Sequence, residues 1–143
     1  MMALAILWPS PPLKAASVAP CLVLGDSIAV GIAPFKPTCV VAAKVGASSA
    51  RILSGAPRKI FGRVYISAGS NDPLNPKLVS NLQAIRRVYP QAEVTWLAPR
   101  NSFAAQKVYQ VAVQNRDKVI YLSKFKSNDG IHPKDYGQVA RKL

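Results

Sequence analysis

Short apolar runs of β character alternate with helical stretches along most of this chain, and that alternation leaves few folds open to it. Residues 21–24, 39–43, 63–67, 93–97 and 118–122 read as five strands. Residues 28–32, 48–53, 76–89 and 104–115 read as the intervening helices, and 134–143 as a closing one. The third helix is the clearest. Leu78, Leu82, Ile85 and Tyr89 recur at helical spacing, Asn75 reads as the N-cap, Pro76 suits the first helical position, and Pro90 ends it. Ser102 reads as the cap of the fourth. A strand–helix–strand order calls for parallel strands joined by right-handed crossovers, with helices on both faces of the sheet: an α/β architecture.

The chain has 143 residues, enough for one domain, expected over 20–143. Segment 1–19 is set apart. It is apolar over residues 1–8 and then carries Pro9, Pro11 and Pro12. It reads either as a degenerate secretory signal without a positive n-region or as a proline-rich arm, so export and cytoplasmic residence both stay open. No apolar run approaches the ~18 residues of a transmembrane helix, so no span is expected. A hydrophobic content of 50% excludes wholesale disorder. Two cysteines and one histidine exclude cysteine-rich zinc sites and paired-histidine metal motifs, so neither metal nor cofactor is expected.

Nineteen Lys and Arg face six Asp and Glu, a net charge of +13. Such a balance suits polyanionic partners: nucleic acid, acidic lipid or an anionic cell-wall polymer. The cations are scattered from Lys14 to Lys142, and the tightest groups are no more than pairs, such as Arg58-Lys59 and Arg86-Arg87. There is no aromatic RNA-binding motif and no helix-turn-helix pattern, which argues against nucleic acid as the main partner. A generally solvated basic surface is the simpler reading.

In parallel sheets the binding crevice lies beyond the carboxyl ends of the strands. Four polar motifs fall there: Gly25-Asp26-Ser27 after strand one, Gly46 after strand two, Asn71 after strand three, and 129–132 after strand five. Ser27, at a strand-to-helix turn, is a candidate nucleophile, but a serine hydroxyl needs an adjacent base. His132 is the sole imidazole of the chain. Asp129, three residues earlier, can hold its tautomer and stabilise the imidazolium. The Ser27 and Gly46 backbone N–H groups and the Asn71 amide can serve as oxyanion donors. Arg100 and Asn101 follow strand four and should reach the same rim as substrate contacts, unless Arg100 merely meets a carboxylate or solvent. Singly, each motif is an ordinary turn; together they fill different roles that one reaction requires.

These residues bring a family into view. Gly25-Asp26-Ser27-Ile28, Val45-Gly46-Ala47-Ser48, Gly69-Ser70-Asn71-Asp72 and Asp129-Gly130-Ile131-His132-Pro133 resemble, in order, the four sequence blocks of the SGNH hydrolases, the GDSL esterase/lipase superfamily. The resemblance runs from Leu22 to about Gly137. It implies a flavodoxin-like three-layer α/β/α sandwich on a five-stranded parallel sheet, and ester hydrolysis through an acyl-enzyme. Lys44 departs from the pattern, standing where the family commonly has an asparagine that braces loops, so a local rearrangement is expected. The chain is also short for the family, which implies an open site suited to bulky or polymeric substrates.

A 2-1-3-4-5 sheet order would make strands one and two neighbours, so Cys21 and Cys39 could form a disulfide; two buried free thiols are the alternative. The functional expectation is a serine esterase acting on short-chain, acetyl esters, with O-acetyl groups of peptidoglycan or another anionic bacterial glycan as the substrate. The alternatives are a lysophospholipase or thioesterase acting on lipid acyl groups, and a non-catalytic carbohydrate- or cell-wall-binding module. Oligomeric state is not legible in the sequence.

Overall fold

A computed structural model describes residues 19–143; the signal-or-arm reading of the preceding segment lies outside the described residues. The strands are β1 (Ala19–Gly25), β2 (Val40–Ala43), β3 (Phe61–Ser67), β4 (Glu93–Ala98) and β5 (Lys118–Tyr121). The helices are α1 (Ser27–Ile32), α2 (Ser49–Ser54), α3 (Leu78–Val88), α4 (Ser102–Gln114) and α5 (Tyr136–Ala140). All strand pairs are parallel, in the order β2-β1-β3-β4-β5.

The alternation of side chains along each strand feeds two cores. Leu22, Leu24, Val64, Ile66, Val94 and Trp96 point to one face and pack with Ile52 of α2, Leu82 and Ile85 of α3, and Val108 and Val111 of α4. Cys21, Val23, Tyr65 and Leu97 point to the other and pack with Ile28 and Ile32 of α1 and Val139 of α5. This is the expected three-layer α/β/α sandwich. Burial on both faces explains why the central strands read as nearly continuous apolar runs. Gly31 is needed where α1 meets α5, because a Cβ there would overlap the Tyr136 ring.

Cys21 and Cys39 are disulfide-bonded, with Cα atoms 4.6 Å apart. Leu22 is level with Val40 across the β1–β2 ladder, so the two cysteines sit side by side one step earlier. Closing this loop stabilises the fold by about 3 kcal/mol if the effect is entropic.

Three helix starts differ from the sequence expectation by two residues. Asn75 does not cap α3: its side-chain oxygen accepts from Lys77 N–H and its amide donates to Asp72, so Asn75 and Pro76 form a turn and Lys77 takes the cap position. Asn101, not Ser102, caps α4, accepting from the N–H groups of Phe103 and Ala104. The closing helix begins at Tyr136 rather than Lys134, because Lys134 N–H is bonded to Lys126 carbonyl and Asp135 caps the helix.

One member of the basic pair Arg86-Arg87 is buried. Arg86 forms a bidentate ion pair with Asp117 (2.8 and 3.1 Å) and also donates to the Tyr89 carbonyl. Trp96 Nε1 donates to the same carboxylate at 2.9 Å. With both charges paired and hydrogen-bonded, the cluster ties α3 to β4 and to the start of β5.

Candidate active site

The strands end at one level. Gly25 pairs with Ala43 on one side and Ser67 on the other, and Ser67 is level with Leu97. Ser27, Gly46 and Asn71 lie two, three and four residues beyond those ends, so they emerge on one rim.

Gly25 lets the chain turn there. Its φ is +146°, and a Cβ would overlap the Ser67 carbonyl oxygen. Asp26 then caps α1, accepting from Ile28 N–H at 3.0 Å. Ser27 is therefore the first residue of the helix, half-buried, with its hydroxyl 2.9 Å from His132 Nε2.

His132 Nδ1 is 2.6 Å from Asp129 Oδ2. The other carboxylate oxygen accepts from the backbone N–H groups of Ile131 (2.8 Å) and His132 (2.7 Å) and from the Ser127 hydroxyl (3.2 Å). The His132 ring and these backbone donors hold the Asp129 carboxyl well below the usual carboxylate range. Asp129 thus fixes the imidazole with Nε2 directed at Ser27, and the three residues form one hydrogen-bonded relay.

Gly46 sits in a turn closed by Ala47 N–H to Lys44 carbonyl at 3.2 Å, with the φ of +77° that a type II turn asks of its third residue. Its N–H makes no hydrogen bond among the described residues. Asn71 Nδ2 donates to the Ala47 carbonyl at 3.0 Å, which orients the amide and joins the Asn71 loop to the Gly46 loop. One amide hydrogen is used in this way and the second stays available. Lys44 itself is exposed, and its N–H donates to the Gly25 carbonyl. The bracing expected of an asparagine at Lys44 comes instead from Asn71 and from Asp72. The Asp72 carboxylate accepts from Ser49 N–H, Ser49 Oγ and Asn75, which anchors α2 to the β3 loop.

Arg100 and Asn101 do reach the rim. With Ser70, Pro99, Gly130 and Ile131 they line a cleft of about 380 Å³ beside the relay. Both also have structural work. Arg100 Nη1 donates to the carbonyls of Leu122 (3.2 Å) and Phe125 (2.6 Å), and the Asn101 oxygen caps α4. No carboxylate partners Arg100 among the described residues.

Sequence reasoning missed the support beneath Ser27. The buried Asp26 also accepts from Ser67 Oγ at 2.8 Å, while its second oxygen and Ser70 Oγ are buried without partners. Burial pushes the Asp26 carboxyl up. The signal was available: an aspartate directly before a helix is a common N-cap.

Around the relay, Val45, Leu74, Phe103 and Ile131 are at least half exposed. Among the described residues no cluster of His, Cys, Asp and Glu could hold a metal ion, and no helix is long and apolar enough to cross a membrane. Neither the family models nor the curated proteins compared with the sequence give a match.

Proposed function

We propose that this chain is a serine ester hydrolase of the SGNH type, acting on short acyl groups. The observation that carries the reading is the unbroken relay Ser27–His132–Asp129. On this reading Ser27 Oγ attacks the ester carbonyl carbon as its proton passes to His132 Nε2. The carbonyl oxygen becomes an oxyanion, held by the Ser27 and Gly46 N–H groups and the free Asn71 amide hydrogen. Collapse breaks the ester C–O bond, and the departing alcohol takes the proton from His132. Water then attacks the acyl-enzyme with His132 again as base, releasing the acid and restoring Ser27.

The cleft beside the relay supports a small acyl group, because Pro99 and Ile131 are its only apolar side chains beside Arg100, Asn101, Ser70 and Gly130. The net charge of +13 supports an anionic carrier such as O-acetylated peptidoglycan or another acidic bacterial glycan. The Cys21–Cys39 bond fits the same setting, since disulfides persist in oxidising compartments.

A second reading, hydrolysis of lipid acyl esters, draws on the exposed Val45, Leu74, Phe103 and Ile131, which could rest on an acyl surface. The test compares p-nitrophenyl acetate with the palmitate ester and measures acetate release from O-acetylated peptidoglycan at low and high salt. The proposal expects preference for acetate and polymer turnover that weakens with salt. Preference for palmitate would replace it with the lipid reading.

A further inference from the structure

A second cleft of about 400 Å³ lies against α4 and the end of β5, lined in part by Arg100, Ser102, Gln106, Tyr109, Tyr121 and Ser123. We propose that it is a glycan subsite, seating a sugar ring of the chain whose ester the Ser27 site cleaves; this inference rests on the esterase reading.

Three observations carry it. First, the cleft adjoins the one beside the relay: Pro99 and Arg100 line both. A substrate extending from the acyl site in this direction enters it. Second, its chemistry suits a pyranose. Tyr109 is 52% exposed, and Tyr121 lines the same cleft. Tyrosine offers a π face, negative at its centre, to the weakly positive C–H groups of a sugar's apolar side, and a hydroxyl at its edge. The hydroxyls of Ser102, Ser123, Tyr109 and Tyr121 and the Gln106 amide make no side-chain hydrogen bond among the described residues, which leaves them to meet sugar hydroxyls. Apolar walls with a few polar groups are the usual make-up of a small-molecule site.

Third, the charge at its edges suits an acidic glycan. Arg100 is held by Nη1 on the Leu122 and Phe125 carbonyls, and its remaining N–H groups make no bond among the described residues. A fixed guanidinium at the neck between the clefts is a poor lining for an acyl chain and a good one for carboxylate or hydroxyl groups.

The test separates binding from chemistry. Soluble peptidoglycan glycan fragments are titrated by calorimetry into the Ser27→Ala protein, with and without Tyr109→Ala. The subsite predicts binding that Tyr109→Ala weakens roughly tenfold and Tyr109→Trp restores. In the active protein, Tyr109→Ala should raise KM for polymer-borne acetyl groups by a similar factor, with kcat and p-nitrophenyl acetate turnover unchanged. Equal glycan binding with and without Tyr109, or absence of glycan binding alongside binding of phosphatidylglycerol vesicles, overturns the subsite. Failure of the wild-type protein to cleave any ester overturns the esterase reading alone, because the titration still reports on the cleft.

Discussion

Ser27 Oγ and His132 Nε2 lie 2.9 Å apart although 105 residues of chain separate them. Their strands are not neighbours either: β3 and β4 stand between β1 and β5. The segment after β5 must therefore swing back across the rim to deliver His132. Arg100 holds its first turn through the Leu122 and Phe125 carbonyls, and the Lys134 N–H to Lys126 carbonyl bond, 2.7 Å, closes the loop that bears His132.

On the esterase reading Arg100 is accordingly a positioning residue for the base. Arg100→Ala should lower kcat for p-nitrophenyl acetate by about tenfold or more, since small misplacement of a catalytic group is costly. KM for this small ester should change little. An unchanged kcat would show that the loop holds its place without the guanidinium.

On the esterase reading Asn71 has two jobs, and they can be separated. Asn71→Ala should reduce kcat by roughly 10²–10³, the usual cost of one oxyanion donor. It also removes the bond to the Ala47 carbonyl, so a modest fall in Tm should accompany the loss. A fall in Tm with kcat intact would assign Asn71 to loop bracing only.

The pH dependence follows from Asp129. Its folded pKa is depressed, so the stability it contributes is present above the unfolded carboxyl value of ~3.9. That stability is lost only as pH falls through the lower folded value. The relay geometry should survive mild acid, and the acid limb of kcat/KM should reflect protonation of the imidazole base. The expected kcat/KM falls towards acid, because the base must be unprotonated to accept the Ser27 proton, while circular dichroism stays constant. A kcat/KM that does not fall on acidification contradicts the role given to His132.

Asp26 has the opposite sign. Its carboxyl is raised by burial, so its contribution favours folding below the unfolded value and is lost as pH rises through the folded one. Asp26→Asn keeps an oxygen for Ile28 N–H and Ser67 Oγ and removes the charge. Its stability relative to wild type should therefore rise between acid and neutral pH in denaturant titrations. Asp26→Ala, which loses the cap and strands Ser67, should cost about 1–3 kcal/mol. An Asp26→Asn protein less stable at neutral pH than at acid pH relative to wild type would contradict a destabilising buried charge.

Much of the framework was legible because periodicity and burial coincide. Leu22, Val64 and Trp96 belong to strands buried on both faces, and their apolar runs announce a parallel sheet. The contacts of the candidate site were legible because each proposed role had one or few candidates, most plainly His132. Less visible were features that depend on contacts between distant segments. Nothing local distinguishes Arg86, buried on Asp117, from the adjacent exposed Arg87. Asn75 and Asn101 are both good cap residues, yet only Asn101 caps its helix, because Asp72 and a local turn engage Asn75. The α4 cleft was invisible for the same reason: Gln106 and Tyr109 meet Tyr121 only through the packing of α4 beside β5.

The most direct test of the central claim is steady-state hydrolysis of p-nitrophenyl acetate by the wild-type and Ser27→Ala proteins, each purified free of host esterases and checked for equal Tm. The serine mechanism predicts measurable wild-type turnover and a loss of at least about 10³-fold in kcat on Ser27→Ala, as expected when a nucleophile is removed. Turnover by Ser27→Ala at the wild-type rate would contradict it.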